Sequence, residues 1–180
     1  MTSRLIDATF TKNGIRLLKL FFYTPAEELH QAEVIRRSGL SRGTVTRLLR
    51  KFYREGILKT DEKGDLAFYS IVAWHPFVRQ LKVALNVAEI YDLVKGLTGK
   101  EIFLYGPAAR GEDTSEDEID LLIITSMPRQ EILKELDKAR RKTGRKINAA
   151  IYTPAEYAYL PDTDKRFYEN LQKEMIILLS

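Results

Sequence analysis

Cysteine is absent from this chain of 180 residues, which excludes disulfides and thiolate-held metals. Histidine occurs only as His30 and His75. They are too far apart for the spacing of a metal-ligand pair, so both are read as structural or exposed. The one tryptophan, Trp74, is expected to pack at a junction between two halves of the chain. No apolar run approaches the ~18 residues of a membrane span. The opening, MTSRLIDATFTKNG, lacks the apolar core and small-residue cleavage site of a secretory leader. The expectation is a cytoplasmic protein with no membrane partner. Acidic side chains are missing from one stretch in particular, Ser41 to Arg54.

Apolar residues make up 44% of the chain and charged residues 30%, a balance that suits a folded globular protein rather than a disordered one. The net charge of +4 is uneven. Met1 to Gln80 holds fourteen Lys and Arg against eight Asp and Glu, a net of +6. Leu81 to Ser180 holds fifteen against seventeen, a net of −2. A basic front attached to a slightly acidic back implies two modules, the first facing an anionic partner.

Asn13 to Tyr23 reads as an apolar helix ending near Pro25, and ELHQAEVIRRSG as a short second helix stopped by Gly39. Ser41 is a good N-cap for RGTVTRLLRKFYREG. In that third helix Val45, Leu48, Leu49 and Phe52 recur at helical spacing and form the core stripe. The other side carries Arg42, Thr46, Arg47, Arg50, Lys51 and Arg54. ILKT-DEKGD-LAFYSIV then reads as a hairpin with Lys63 and Gly64 at its tip.

Helix, tight turn, basic helix and hairpin resemble the winged helix domains of bacterial and archaeal transcriptional regulators, from about Gly14 to Val72. GLSRGTVTRLLRKFYREGIL carries most of the resemblance. It implies double-stranded DNA as the partner. Arg42, Thr44, Thr46, Arg47 and Arg50 would enter the major groove, and Lys63 would meet a phosphate near the wing. The competing interpretation is a charged, solvated helix in a winged helix used for protein contacts.

WHPFVRQLKVALNVAEIYDLVKGL links the halves. Phe77, Leu81, Ala84, Ala88 and Tyr91 form one apolar stripe, and Val83, Val87, Ile90, Val94 and Leu97 another. Either the helix is buried on two sides within one chain, or the second stripe meets another copy. A homodimer is the expectation, because regulators of this type bind two half-sites.

The segment LYGPAARGEDTSEDEIDLLIIT reads as strand, helix or loop, and strand. Glu118 and Asp120 are two apart, so on a strand they share one face while Ile119 points into the core. Paired carboxylates on one face suit a divalent metal, which in nucleotidyl transfer polarises the phosphate. The six acids from Glu112 to Asp120 are equally compatible with a solvated loop. The basic KARRKTGRK reads as an exposed helix end and turn within reach of phosphate.

Gly106-Pro107, Ala109-Arg110-Gly111 and Asp117-Glu118-Ile119-Asp120 resemble the DNA polymerase β-like nucleotidyltransferase superfamily in its minimal form, from about Leu97 to Tyr157. That resemblance implies Gly106 and Arg110 at nucleotide phosphates, and Glu118 and Asp120 as catalytic candidates holding Mg²⁺. Three departures stand out. Pro107 replaces the family's Ser and removes a hydroxyl and an N–H. Glu118 replaces an Asp. Asn148 stands where a third acid is expected, and an amide cannot serve as a general base.

The whole order resembles prokaryotic regulators that fuse a winged helix to a nucleotidyltransferase-like domain. These share a Gly-Arg-x-x-Asn motif, here Gly144 to Asn148. The expected fold is α+β: a winged helix-turn-helix over 1–75, a linking helix over 76–98, and a small nucleotidyltransferase-like αβ domain with a mixed sheet over 99–180. Its strands are expected near Ile102–Tyr105, Leu121–Thr125, Ile147–Tyr152 and Met175–Leu179, with helices at Arg129–Arg141 and Asp164–Lys173. The expected function is transcriptional regulation, with a nucleotide as candidate ligand and the transferase chemistry degenerate. The alternatives are an active Mg²⁺-dependent nucleotidyltransferase and a toxin–antitoxin component.

Overall fold

Thr11 opens the first helix. Its Oγ1 accepts the Gly14 N–H at 2.9 Å and caps α1, Lys12–Phe22. This computed structural model describes residues 10–97 and 99–180. Met1 to Thr9, where no secretory leader is expected, and Thr98, the expected end of the linking helix, lie outside the described residues. A two-residue strand, β1 (Leu29–His30), leads into α2 (Gln31–Ser38). Gly39 ends α2 in the left-handed region, φ 61°, where a side chain would be strained. The basic helix α3 spans Arg42–Arg54. Its expected stripe of Val45, Leu48, Leu49 and Phe52 is buried.

The hairpin follows as β2 (Leu58–Lys63) and β3 (Leu66–Ile71). With β1 it makes an antiparallel sheet in the order β1-β3-β2. Three helices against a three-stranded sheet with a hairpin is the winged helix arrangement. At the hairpin tip Asp61, Glu62, Lys63 and Asp65 are all exposed. Trp74 does not pack as expected. It is 78% exposed, because it stands in the turn between β3 and the next helix, outside either buried stripe. His75 has a local role: its Nδ1 accepts the Phe77 N–H at 3.2 Å.

The chain divides into two compact units between Arg79 and Gln80, within α4, Pro76–Val94. The second unit is built on β4 (Glu101–Tyr105), the short α5 (Gly106–Arg110), β5 (Ile119–Ile124), α6 (Arg129–Thr143), β6 (Ile147–Tyr152), α7 (Pro154–Thr163), α8 (Lys165–Glu174) and β7 (Ile176–Leu179). Strand order is β6-β5-β4-β7. Only β5 and β6 run parallel, joined by α6 as a crossover must be, so the sheet is mixed as expected.

Strand alternation sorts the core into two layers. Ile102, Leu104, Ile119, Leu121 and Ile123 pack with Ile90 and Val94 of α4 and Ile132 and Leu136 of α6. Phe103, Leu122 and Ile124 pack on the other face with Leu160 of α7 and Leu171 of α8. The helix α7 was not anticipated. Pro161 interrupts its pattern, yet a capping box of Thr153 and Glu156 with Pro154 in the first turn starts it firmly.

Candidate functional site

In the first unit, α3 presents a shallow groove lined by Arg42, Gly43, Thr46, Arg47, Arg50 and Arg54. All four arginines are exposed. None of their guanidinium groups has a hydrogen-bond or ion-pair partner among the described residues. The arginines of α2 differ. Arg36 and Arg37 both bond Glu33, and Arg37 also reaches Glu27 at 2.6 Å. Those two guanidinium hydrogen bonds lower the Glu33 carboxyl to about 2. Positive charge is therefore neutralised locally on α2 and left open on α3.

The hydroxyls nearby are already engaged. Thr46 Oγ1 donates to the Arg42 carbonyl at 2.8 Å and accepts from Gln31 Nε2 at 3.0 Å. Ser41 Oγ donates to Thr44 Oγ1 at 2.9 Å and accepts the Thr44 N–H at 3.3 Å. Lys63 is exposed but turned toward Glu28, with its Nζ 2.5 Å from Glu28 Oε2 and 5.3 Å from the centre of the Phe68 ring.

In the second unit, strand register brings the motif residues together. Asp120 pairs with Tyr105 across the antiparallel β4–β5 ladder and with Asn148 across the parallel β5–β6 ladder. Gly106 follows Tyr105 directly. Its φ is +71°, and a Cβ there would lie 2.5 Å from Asp120 Oδ2. Glycine is needed twice over, for the backbone and for the close approach. Alanine at 106 should therefore cost about 1–3 kcal/mol. Urea unfolding measures it, and an unchanged midpoint would show that the loop relaxes freely.

Asn148 Nδ2 donates to Asp120 Oδ1 at 2.9 Å. Burial pushes the Asp120 carboxyl up, and the Asn148 hydrogen bond opposes the rise. Burial and then the Asp120 charge raise the Tyr105 phenol to about 12. Glu118 stands just before β5 and is exposed.

The resemblance implies a divalent metal here. The donor set does not fit a metal-assisted transfer site: one Asp120 oxygen is taken by an amide N–H, and that amide replaces the third acid. Among the described residues, no group of three or more His, Asp or Glu is placed to hold a metal ion. No chemical step is derived through one.

Arg110 and Gly106 face a residue that sequence reasoning missed. Glu174, the last residue of α8, accepts the Gly106 N–H at 3.1 Å and the Arg110 Nη1–H. Arg110 Nε donates to Glu112 at 2.7 Å.

A buried polar cluster was also missed. Asp113 is 0% exposed, so it is not part of a solvated acidic loop. Its Oδ2 accepts from Arg145 Nη2 at 2.7 Å and its Oδ1 from Asn86 Nδ2 at 2.9 Å. Lys82 donates to the Asp113 carbonyl and lies 3.4 Å from Oδ1. Asn86 Nδ2 also reaches the Ala108 carbonyl at 3.0 Å. Burial pushes the Lys82 ammonium down, and Asp113 pulls it back up. Arg145 and Asn148, both of the Gly-Arg-x-x-Asn motif, thus hold Asp113 and Asp120 respectively. The signal in sequence was faint: Lys82 and Asn86 continue the four-residue spacing of the buried Ile90 and Val94. For Glu174 there was none before the strands were paired.

A cleft beside this site is lined by Glu118, Arg140, Arg141, Gly144, Arg145, Lys146, Ile147 and Asn148. Arg140 donates to the Ile147 carbonyl and bonds Asp137 at 2.7 Å.

A family model described as the IclR helix-turn-helix domain matches residues 11–62. No curated protein matches the chain. Among solved structures, a predicted DNA-binding transcriptional regulator from E. coli is 20% identical with a TM-score of 0.40, over 47% of this chain and 84% of that one. An IclR family transcriptional regulator from Brucella abortus is 18% identical with a TM-score of 0.33, over 80% of this chain and 61% of that one. A provisional nucleotidyltransferase from Sulfolobus solfataricus is 13% identical with a TM-score of 0.33, over 56% and 82%. A second family model, described as the nucleotidyltransferase domain, matches residues 87–178. That match takes in just over half of the residues, and on it the chain belongs to the nucleotidyltransferase domain family.

Proposed function

We propose that the chain is a DNA-binding transcriptional regulator that engages double-stranded DNA as a homodimer. Its nucleotidyltransferase domain senses an anionic, nucleotide-type ligand rather than transferring one. The observation that carries the first part is the row of exposed arginines on α3, Arg42, Arg47, Arg50 and Arg54, whose guanidinium groups have no partner among the described residues. A helix fits the major groove, and open guanidinium groups neutralise phosphates or pair with guanine edges. Arg42, Arg47 and Arg50 carry this role, with Thr44 and Thr46 offering their methyl groups. The Glu28 pairing leaves Lys63 a weaker phosphate contact.

Support for sensing without transfer comes from Pro107, from the amide of Asn148 on Asp120, and from the occupied cradle of Gly106 and Arg110. Support for a dimer comes from α4, where Ala84, Ala88 and Tyr91 of the first expected stripe are exposed. Sedimentation at micromolar concentration should give a dimer mass, and a monomer mass removes that part.

The test is selection of bound duplexes from a random pool, followed by mobility shifts at two salt concentrations. Enrichment of a sequence with salt-dependent binding is expected, and a pool left unenriched overturns the regulator reading. Incubation with α-labelled nucleotides, Mg²⁺ and cell extract should transfer no label. Label moved by the wild type and not by the Glu118→Ala/Asp120→Ala double variant would make the chain an enzyme.

A further inference from the structure

We infer that Glu174 is an internal competitor for the anion cradle of Gly106 and Arg110, so that a phosphate enters only when the last turn of α8 moves away. The inference rests on the sensing part of the proposed function and adds how that site is kept closed.

The placement of Glu174 follows from strand register. In the antiparallel ladder between β4 and β7, Phe103 faces Ile177 and Leu104 faces Ile176. Continued two residues beyond Leu104, the same register sets Glu174 opposite Gly106. One carboxylate oxygen then accepts the Gly106 N–H at 3.1 Å, and the other accepts the Arg110 Nη1–H. A backbone N–H and a guanidinium are the donors that a phosphate oxygen would take. The carboxylate supplies the same charge and the same pair of acceptor oxygens.

Phosphate cannot share this position. With Glu174 in place the Gly106 N–H and an Arg110 Nη1–H are engaged, and a second anion would meet like charge from Glu174, from Glu112 on Arg110 Nε and from Asp120 against Gly106. The Glu174 side chain is mostly covered, at 22% exposure. Only the helix end separates it from Met175, which packs against the core layer of Phe103 and Leu171. On this inference Glu174 withdraws together with the final turn of α8, whose neighbour Met175 lies against that core layer.

The test uses inorganic tripolyphosphate as the probe and the full chain as the protein, with binding measured by calorimetry. Glu174→Ala should bind at least about tenfold more tightly than the wild type, since a charged competitor for both donors is gone. Glu174→Gln keeps the size and the acceptor for Gly106 but loses the charge, and should fall between the two. Adding Arg110→Ala to Glu174→Ala should remove the gain. Equal affinity in the wild type and both single variants, absence of binding included, overturns the inference. So does a gain that survives Arg110→Ala. DNA shifts without tripolyphosphate, run on the same samples, separate the two ideas. DNA binding with no gain at Glu174 sinks this inference alone. A gain without DNA binding leaves it standing and sinks the regulator reading.

Discussion

Asp113→Ala should destabilise the second unit by about 3–5 kcal/mol, the usual consequence of removing one partner from a buried ion pair. The Asp113 carboxylate pairs with both Lys82 and Arg145 and also accepts from Asn86. Without its carboxylate, Lys82 and Arg145 lose a buried counter-charge and Asn86 loses one of its acceptors, in a region with little access to water. Asp113→Asn keeps the volume and part of the hydrogen bonding, and should recover part of the loss. The sign with pH also follows. Burial already pushes Lys82 down, and the variant removes the opposing charge. A lysine with a depressed folded pKa destabilises fully below that pKa, and the penalty fades as pH rises toward about 10.4. The deficit of Asp113→Ala should therefore shrink between neutral and alkaline pH. Urea unfolding across that range reads both effects. A loss under about 1 kcal/mol at neutral pH would mean that the cluster contributes little.

Arg47→Ala should weaken specific DNA binding by about 1–3 kcal/mol if Arg47 pairs with a guanine. The loss should also relax preference at one base position. Removing Arg42, Arg47 and Arg50 together should lower affinity on every sequence and flatten the salt dependence by about 0.9 per lost phosphate contact. These side chains are exposed and make no hydrogen bond or ion pair among the described residues, so the fold should tolerate their loss. That separates the effect from unfolding, which circular dichroism would reveal. An Arg47→Ala protein with unchanged affinity and footprint overturns the placement of α3 in the groove. Arg36→Ala is the natural control. Its charge is already bonded to Glu33, so it should matter less.

Apolar period and turn chemistry made most of the fold legible in sequence. Val45, Leu48, Leu49 and Phe52 had to face inward, and they do. The four strands of the second unit appear near their expected positions because short apolar runs between turns have few other uses. What could not be read was polarity with a distant partner. Asp113 looked like one acid among six, because nothing nearby in sequence announces Lys82 or Arg145. The double stripe on α4 was incomplete for the same reason: periodicity counts apolar residues, while Lys82 and Asn86 are polar and buried. At the candidate site, Gly106, Asp120 and Asn148 could be named from motif spacing. Their hydrogen bonds depend on ladder register, and so does the arrival of Glu174.

The hairpin of the first unit carries a consequence of its own. Its tip exposes Asp61, Glu62 and Asp65, and its one lysine is drawn to Glu28. On a duplex seated against α3, such a tip would be pushed off the neighbouring phosphates rather than drawn onto them. On the proposed reading, one copy would then hold DNA mainly through a helix in a single groove, with only a weak second hold at the wing. A contact that short would dissociate readily, and a long operator would be covered by adding copies rather than by widening the hold of each.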